Sequence, residues 1–352
     1  MRCPECNEPV PSGDRFCEAC GHDLGVARLD TTPVPATLPC VRCEQPPDAD
    51  PDYCPGCGLR RPDGTDRYEF VLLPTPSAPD RCAGLAGVSD RGLVHARNED
   101  AMSLGRTPAA GPPSSYVVVV CDGVSSVRRP EVASRTATAA ALTVLLAPPT
   151  PDAGPPMPAA VAAAQSAVAA LAPGGGPDTP SCTLVSALVT GLDGERPTVT
   201  IGWVGDSRAY WLAATGSRLL TADHSWAAEE VRAGRRDMAT AMADRRAHGI
   251  TRWLGADGYA DPGIEVLTPD APGVLLLCSD GLWNHLPDAE DLAAVALPLV
   301  AESGPAAAAA ALTAIALEAG GRDNITVVVV PLPPLIEPAE PPEPVTDPTR
   351  SP

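Results

Sequence analysis

The chain has 352 residues and a formal net charge of −19. This length allows one large domain with smaller modules beside it. Because nonspecific binding to a nucleic-acid backbone depends on basic side chains, so acidic a chain argues against nucleic acid as its main partner. No apolar stretch reaches the roughly 18–20 residues that span a bilayer, and the N-terminus lacks the apolar core of a signal peptide. The sequence therefore predicts a cytoplasmic protein without membrane contact.

The N-terminal segment is rich in cysteine. Eight of the twelve cysteines lie in the first 57 residues, and each half of this segment has the spacing C-x2-C-x10-C-x2-C. Such pairs place four thiolates around one Zn²⁺, so residues 1–58 are predicted to form paired zinc ribbons with two structural zinc ions. A disulfide framework is the alternative, but it requires an oxidising compartment, which the missing signal peptide disfavours. The predicted zinc ligands are Cys3, Cys6, Cys17, Cys20, Cys40, Cys43, Cys54 and Cys57.

Proline-rich segments delimit the largest predicted domain. Residues 59–80 are predicted to form a linker with a short strand, and the proline- and acid-rich residues 333–352 a disordered tail. Residues 81–332 remain as the folded domain. Within them, three alanine-rich segments carry Leu, Val or Ile three or four residues apart and are predicted helices: 138–147, 159–172 and 305–319.

Four strand-like segments carry an aspartate at or just beyond one end: Asp122 in VVVVCDG, Asp206 in WVGDSR, Asp280 in VLLLCSDG and Asp323 in GRDNITVVVV. If neighbouring strands run antiparallel, acids at the end of one strand and the start of the next meet at the same rim of the sheet. Clustered carboxylates repel one another unless a cation joins them, and Mg²⁺ and Mn²⁺ prefer oxygen ligands. Each aspartate alone is more typical of a turn, but the four together favour a metal site.

The order of motifs resembles a known family. SDRGLVHARNEDA, CDGV, SCTLVSALV, WVGDSRAYWL, LTADHSW, ITRWLG, LLLCSDGLW and GRDNITVVVV follow one another as in the bacterial type of PPM (type 2C) metal-dependent Ser/Thr protein phosphatases. The resemblance implies an α+β fold, a four-layer α-β-β-α sandwich of two antiparallel sheets, with a binuclear Mg²⁺ or Mn²⁺ centre in a cleft at one end. It further implies hydrolysis of phosphoserine and phosphothreonine in proteins by a metal-activated water.

The resemblance also implies which residues bind the metals. The implied catalytic set consists of Asp122, Asp280 and Asp323, with two metals and, in bacterial members, a weaker third. The implied ligands are Asp122 bridging two metals, the Gly123 carbonyl on one of them, Asp280 and Asp323 on the other, Asp206 on the third metal, and Glu99 and Asp100 through water. Asn324 is predicted either to orient Asp323 or a metal-bound water, or to cap the strand end.

The chain departs from the family pattern at the phosphate-binding position. His95 stands where most relatives carry an arginine, with Arg97 two positions later. Imidazole lacks the planar fork of guanidinium, so we expect weaker phosphate binding, with Arg97 as a candidate for compensation. Val124 stands where some relatives place a histidine as candidate general acid, so the general acid is unassigned. Residues 226–249 lie where the family carries a flap beside the cleft.

Two alternative functions, in which the chain is a binding protein and not an enzyme, remain open. In the first, the chain is an adaptor with weak or no activity, in which the domain binds phosphoproteins and the zinc ribbons recognise a protein partner. The intact Asp122, Asp280 and Asp323 argue against it, because a domain without catalysis has less need of clustered acids. In the second, the zinc ribbons bind nucleic acid, which conflicts with the overall acidity. The expected partners are phosphorylated proteins, together with a protein that binds the zinc ribbons.

Overall fold

The structure is a computed structural model. It describes residues 26–29, 65–72, 84–107, 115–148, 155–176, 178–192 and 196–332. The eight predicted zinc cysteines and the tail from residue 333 lie outside these ranges, so the predictions made for them stay predictions. No helix in the described ranges has the length and apolar character needed to cross a membrane.

Twelve strands and seven helices make up the described chain. The strands are β1 (Val26–Leu29), β2 (Arg67–Leu72), β3 (Leu85–Asp90), β4 (Ala101–Arg106), β5 (Tyr116–Cys121), β6 (Leu184–Thr190), β7 (Thr198–Val204), β8 (Arg208–Leu212), β9 (Arg218–Leu219), β10 (Gly263–Leu267), β11 (Gly273–Cys278) and β12 (Ile325–Leu332). The helices are α1 (Pro130–Leu146), α2 (Pro156–Ala169), α3 (Trp226–Arg232), α4 (Met238–Met242), α5 (Asp280–Trp283), α6 (Ala289–Ser303) and α7 (Pro305–Glu318).

The strands form two antiparallel sheets. The larger sheet has the order β1-β2-β3-β12-β11-β8-β9 and the smaller the order β10-β7-β6-β5-β4. The valine-rich strands β5 and β12 lie inside their sheets and are buried at every position. Because β-branched side chains suit a packed, pleated surface, such runs favour central strands covered on both faces.

The two sheets pack face to face and helices cover their outer faces. Side chains such as Val118, Ile201 and Leu275 fill the core between the sheets. Helices α1 and α2 pack against the smaller sheet, and α6 and α7 pack against the larger one. This arrangement is the four-layer α-β-β-α sandwich predicted from the sequence, so the predicted fold class is confirmed.

The sheets approach closely at Gly87 in β3. A Cβ atom there would lie 2.6 Å from Met102 Sδ and 2.9 Å from Val328 Cγ2. Real Cβ atoms do not come so close to other atoms, because interiors are packed to the density of organic crystals. Glycine at this position therefore lets β4 of the smaller sheet pack against the larger one.

The larger sheet extends before the predicted start of the domain at residue 81. Residues 67–72, within the segment predicted as a linker with a short strand, form β2 and pair with β3 along its whole length. Residues 26–29, within the predicted zinc-ribbon segment, form β1 and pair with β2. The folded domain thus includes residues that the sequence analysis placed outside it.

The predicted helices are present, with different bounds. The segments 138–147, 159–172 and 305–319 correspond to α1, α2 and α7, each of which starts at or one residue after a proline that is compatible with the first helical turn. Helix α6 is not among the helices predicted from the sequence. Its interior Pro298 lacks the N–H that donates a helical hydrogen bond, which makes a helix unexpected at this position. The first turn of α6 is stabilised by a side-chain cap, in which Asp288 accepts from the N–H of Glu290 at 2.9 Å.

Candidate metal centre

Acids from both sheets meet at one rim of the sandwich. Asp100 precedes β4 and Asp122 follows β5 in the smaller sheet, whereas Asp280 follows β11 and Asp323 precedes β12 in the larger one. Asp206 lies in the connection from β7 to β8. The charges of all the others act on Asp122. We call these five residues the acid cluster. The cluster contains the four aspartates that the sequence pattern placed at strand ends as a candidate metal site.

Asp122 and Asp280 interact within the acid cluster, since each carboxyl group affects the pKa of the other. Burial, followed by the charges of neighbouring acids, raises the pKa of Asp122 well above its usual value. Burial and then the charge of Asp323 raise the pKa of Asp280 to about 6, against the opposing effect of hydrogen bonds, including one from Asn284 Nδ2 at 3.2 Å.

Asp100 is held by two hydroxyl groups of the opposite sheet. Its Oδ2 accepts hydrogen bonds from Ser279 Oγ at 2.7 Å and from Thr326 Oγ1 at 2.8 Å. Burial raises the pKa of Asp100 to about 7, although these two bonds act to lower it. Sequence reasoning missed Ser279 and Thr326. The available signal was that each is a hydroxyl residue within three positions of a predicted metal ligand.

The backbone at Asp122 and Gly123 is fixed by the neighbouring strand. The Asp122 N–H donates to Thr183 Oγ1 at 3.1 Å, and the Thr183 N–H donates to the Asp122 carbonyl at 2.8 Å. Gly123 is paired with Cys182. A Cβ atom on Gly123 would lie 2.6 Å from the carbonyl oxygen of Glu99. Only glycine therefore fits at this position, directly beside the segment that carries Glu99 and Asp100.

Asp206 is buried in the connection from β7 to β8. Burial, and then the charges of Asp280 and Asp223, raise its pKa well above the usual value. Its carbonyl accepts a hydrogen bond from Trp283 Nε1 at 2.9 Å, and the Arg208 guanidinium lies 3.7 Å from the centre of the Trp283 ring. Trp283 is a site residue that sequence reasoning missed, although it stands three positions after Asp280 in the SDGLW motif.

The predicted flap contacts this same tryptophan. Residues 226–249 contain α3 and α4, and the ring of His248 stacks on that of Trp283 with 6.4 Å between ring centres. The residues His224 and Ser225, just before the flap, have structural contacts. His224 Nδ1 accepts from the Gly205 N–H at 3.2 Å, and Ser225 Oγ caps α3 by accepting from the Ala228 N–H at 3.4 Å.

The loop from β3 to β4 carries the predicted phosphate-binding residues. His95 Nε2 lies 3.3 Å from Asp323 Oδ1, so His95 is at the edge of the acid cluster. Arg97 instead pairs with Glu131 of α1, with 3.2 Å between Nη1 and Oε1. Glu99 accepts a hydrogen bond from Ser125 Oγ at 2.6 Å. The structure thus places His95 at the cluster and engages Arg97 in a separate ion pair.

Asn324 joins this loop to β12. Its Oδ1 accepts from the Glu99 N–H at 2.7 Å, and its Nδ2 donates to the carbonyls of Arg91 at 2.7 Å and Arg97 at 3.1 Å. The backbone N–H of Asn324, not its side chain, contacts Asp323, at 2.8 Å from Oδ1. The amide group therefore positions the loop, a role that the sequence analysis did not anticipate.

The acid cluster has the chemistry of a site for hard cations. In the described part of the chain, no three His, Cys, Asp or Glu side chains converge closely enough to form a ready-made metal site. However, Asp100 Oδ1 and Asp280 Oδ1 are buried and have no hydrogen-bond partner. Buried carboxylate oxygens without a partner are costly, and Mg²⁺ and Mn²⁺ prefer such ligands. The residues present therefore fit divalent cations that are bound partly through water.

Comparison with protein families identifies the domain. A family model described as protein phosphatase 2C matches residues 94–315, which is more than half of the chain. The chain belongs to the protein phosphatase 2C family. A second model, described as double zinc ribbon, matches residues 3–58, which contain all eight predicted zinc ligands.

Individual serine/threonine phosphatases are similar to this chain over part of their length. The serine/threonine phosphatase Stp of Listeria welshimeri is 35% identical over 150 residues, which are 42% of this chain and 55% of that protein. The serine/threonine protein phosphatase PstP of Mycobacterium tuberculosis is 32% identical over 244 residues, which are 69% of this chain and 44% of that protein. The chain thus spans about half the length of the curated relatives it matches.

A solved structure of a serine/threonine protein phosphatase shares the fold. The catalytic domain of PstP, solved in complex with two manganese ions, superposes with a TM-score of 0.54 at 30% sequence identity. The match covers 71% of this chain and 97% of the PstP chain. The two-sheet sandwich described above is therefore the fold of the PstP catalytic domain.

Proposed function

We propose that this chain hydrolyses phosphoserine and phosphothreonine in proteins, with divalent cations bound at the acid cluster. The observation that carries the proposal is the meeting of five carboxyl groups at one rim, two of them with a buried oxygen that has no partner. A phosphate group is itself an anion, so it approaches such a cluster only if cations offset the charge. Metal dependence therefore follows from the charge of the site.

Different residues of the chain would bind the cations and the substrate. Asp122 and the Gly123 carbonyl would hold one cation, and Asp122, Asp280 and Asp323 would hold the second. When bound, two such cations supply an activated water as nucleophile and positive charge beside the phosphoryl oxygens. Asp206 would hold a third cation, and Glu99 and Asp100 would contribute through water. These assignments rest on the family resemblance and on the proximity of the acids.

The hydrogen bonds around the cluster would keep its geometry fixed. Ser279 and Thr326 hold Asp100, Thr183 holds the backbone of Asp122, and Asn284 contacts Asp280. Preorganised groups of this kind need no rearrangement as the reaction proceeds. His95 would donate a hydrogen bond to the phosphate from the edge of the cluster.

The experiment that tests this function is release of phosphate from a phosphothreonine peptide as Mn²⁺ is titrated from zero. The wild type is compared with Asp280→Asn, which removes one charge from the cluster, and with Asp270→Asn, the same change at an exposed position in the turn before β11. We expect Mn²⁺-dependent turnover in the wild type and in Asp270→Asn, and a loss of about a hundredfold or more in Asp280→Asn.

Other outcomes of this experiment are informative. Binding of Mn²⁺ without release of phosphate between pH 6 and 9 would contradict the proposal and favour the adaptor. Equal activity of Asp280→Asn and the wild type would show that Asp280 is not a metal ligand.

The proposal also assigns a role to the N-terminal zinc-ribbon segment, residues 1–58. Its eight cysteines would bind two structural zinc ions, and the ribbons would recognise a protein partner that delivers phosphorylated substrates. A cytoplasmic location stays a prediction from the sequence.

A further inference from the structure

Two adjacent aliphatic side chains project from the protein beside the acid cluster. Leu93 and Val94 are 66% and 67% exposed, more than any other large apolar side chain in the described part of the chain. They directly precede His95, whose Nε2 lies 3.3 Å from Asp323 Oδ1. A single exposed apolar side chain is ordinary, but an adjacent pair beside a cluster of acids indicates a contact surface.

Backbone contacts fix the loop that presents these side chains. The Leu93 N–H donates to the Gly321 carbonyl at 2.7 Å. The Asn324 amide donates to the carbonyls of Arg91 and Arg97, one on each side of the pair. These bonds hold the backbone of the loop on both sides of the pair, and the two from Asn324 are partly buried and costly to lose. The position of the pair next to His95 is therefore fixed by the backbone.

The position of the pair determines what can cover it. In the proposed function His95 donates to the phosphate, so a phosphorylated side chain bound at the acid cluster would lie beside His95. Successive residues of an extended peptide are about 3.3 Å apart. The residues next to the phosphorylated one would therefore lie over Leu93 and Val94. An aliphatic neighbour there would bury apolar surface against the pair.

We propose that Leu93 and Val94 form an apolar ledge that binds aliphatic residues flanking the phosphorylated serine or threonine of the substrate. The ledge makes these two residues determinants of substrate specificity, and the inference rests on the proposed phosphatase function. A second copy of the chain is a poorer occupant, because two side chains offer far less than the roughly 800 Å² per partner of a stable interface.

The test uses two phosphothreonine peptides that differ only at the positions before and after the phosphothreonine. One peptide has leucine there and the other has glutamine, so neither size nor charge differs much. The readout is the ratio of kcat/KM for the two peptides with Mn²⁺ present, because a general loss of activity cancels in it. We expect the wild type to prefer the leucine peptide roughly fivefold, which corresponds to burial of about 40 Å² of apolar surface.

The variants replace apolar atoms by polar ones of similar shape. The double variant Leu93→Asn/Val94→Thr should lower the ratio to about 1. The matched control is Val266→Thr, which makes the same change at a valine that is 58% exposed on the edge strand β10. This control should keep the ratio of the wild type.

Four results would overturn the inference. Equal use of both peptides by the wild type, or an unchanged ratio in the double variant, would contradict the apolar ledge while leaving the proposed function intact. Failure of the wild type to hydrolyse either peptide would contradict the proposed function, and the inference with it. An unchanged ratio together with a lower molar mass of the double variant in solution would assign the ledge to contact between copies of the chain.

Discussion

His95 is the residue at which the site differs most from the pattern of the family. Its imidazole is near Asp323 and offers a single hydrogen bond where an arginine offers a planar fork. From the sequence, Arg97 is the candidate for compensation. In the structure Arg97 is paired with Glu131, so it would have to break that ion pair to reach a phosphate.

We therefore expect His95→Arg to strengthen substrate binding. A guanidinium group donates two parallel, charge-assisted hydrogen bonds to a phosphate, so the KM for a phosphothreonine peptide should fall roughly threefold to tenfold. The measurement is steady-state kinetics at saturating Mn²⁺ for the wild type and the variant. An unchanged or higher KM would show that His95 does not occupy the phosphate-binding position.

At the scale of elements, the loop from β3 to β4 depends on Asn324. This side chain is 2% exposed, and all three of its hydrogen bonds go to backbone groups of the loop. Replacing a buried group that satisfies several partners leaves those partners without hydrogen bonds. The loop carries both His95 and the apolar ledge, so its position should affect substrate binding more than the chemical step.

Asn324→Ala should lower the free energy of unfolding by about 2–4 kcal/mol and raise the KM for a phosphothreonine peptide more than it lowers kcat. The matched control is Gln165→Ala in α2. Its side chain also ties a loop by two backbone bonds, both to Gly255, at 2.8 Å and 3.0 Å. Thermal unfolding and steady-state kinetics on both variants separate the two effects. A KM that changes equally in both variants would mean that Asn324 acts only through stability.

The local sequence pattern predicted the strands better than the long-range contacts of the site residues. The apolar runs before Asp122 and Asp280 and after Asp323 are strands, because each is a short β-branched or aliphatic run bounded by turn residues. The contacts of Asp100 could not be predicted in this way. Its partners Ser279 and Thr326 lie 179 and 226 positions away, and only the pairing order of the strands brings them together.

At the scale of the whole molecule, the site exists because two sheets end at a common rim. Neither sheet contributes all the acids, since Asp100 and Asp122 border the smaller sheet and Asp280 and Asp323 the larger one. Asp206 lies in the connection from one sheet to the other. The family resemblance predicted this architecture from the order of motifs. It did not predict that the larger sheet includes β1 and β2, because their residues lie in segments read as zinc ribbon and linker.

The central claim is that divalent cations bind where these sheet ends meet. The most direct measurement is anomalous scattering at the manganese absorption edge from crystals of the full chain grown with Mn²⁺. The account predicts at least two manganese peaks in contact with Asp122, Asp280 and Asp323. Crystals in which manganese is absent from these three carboxylates, or is found only elsewhere on the protein, would contradict it.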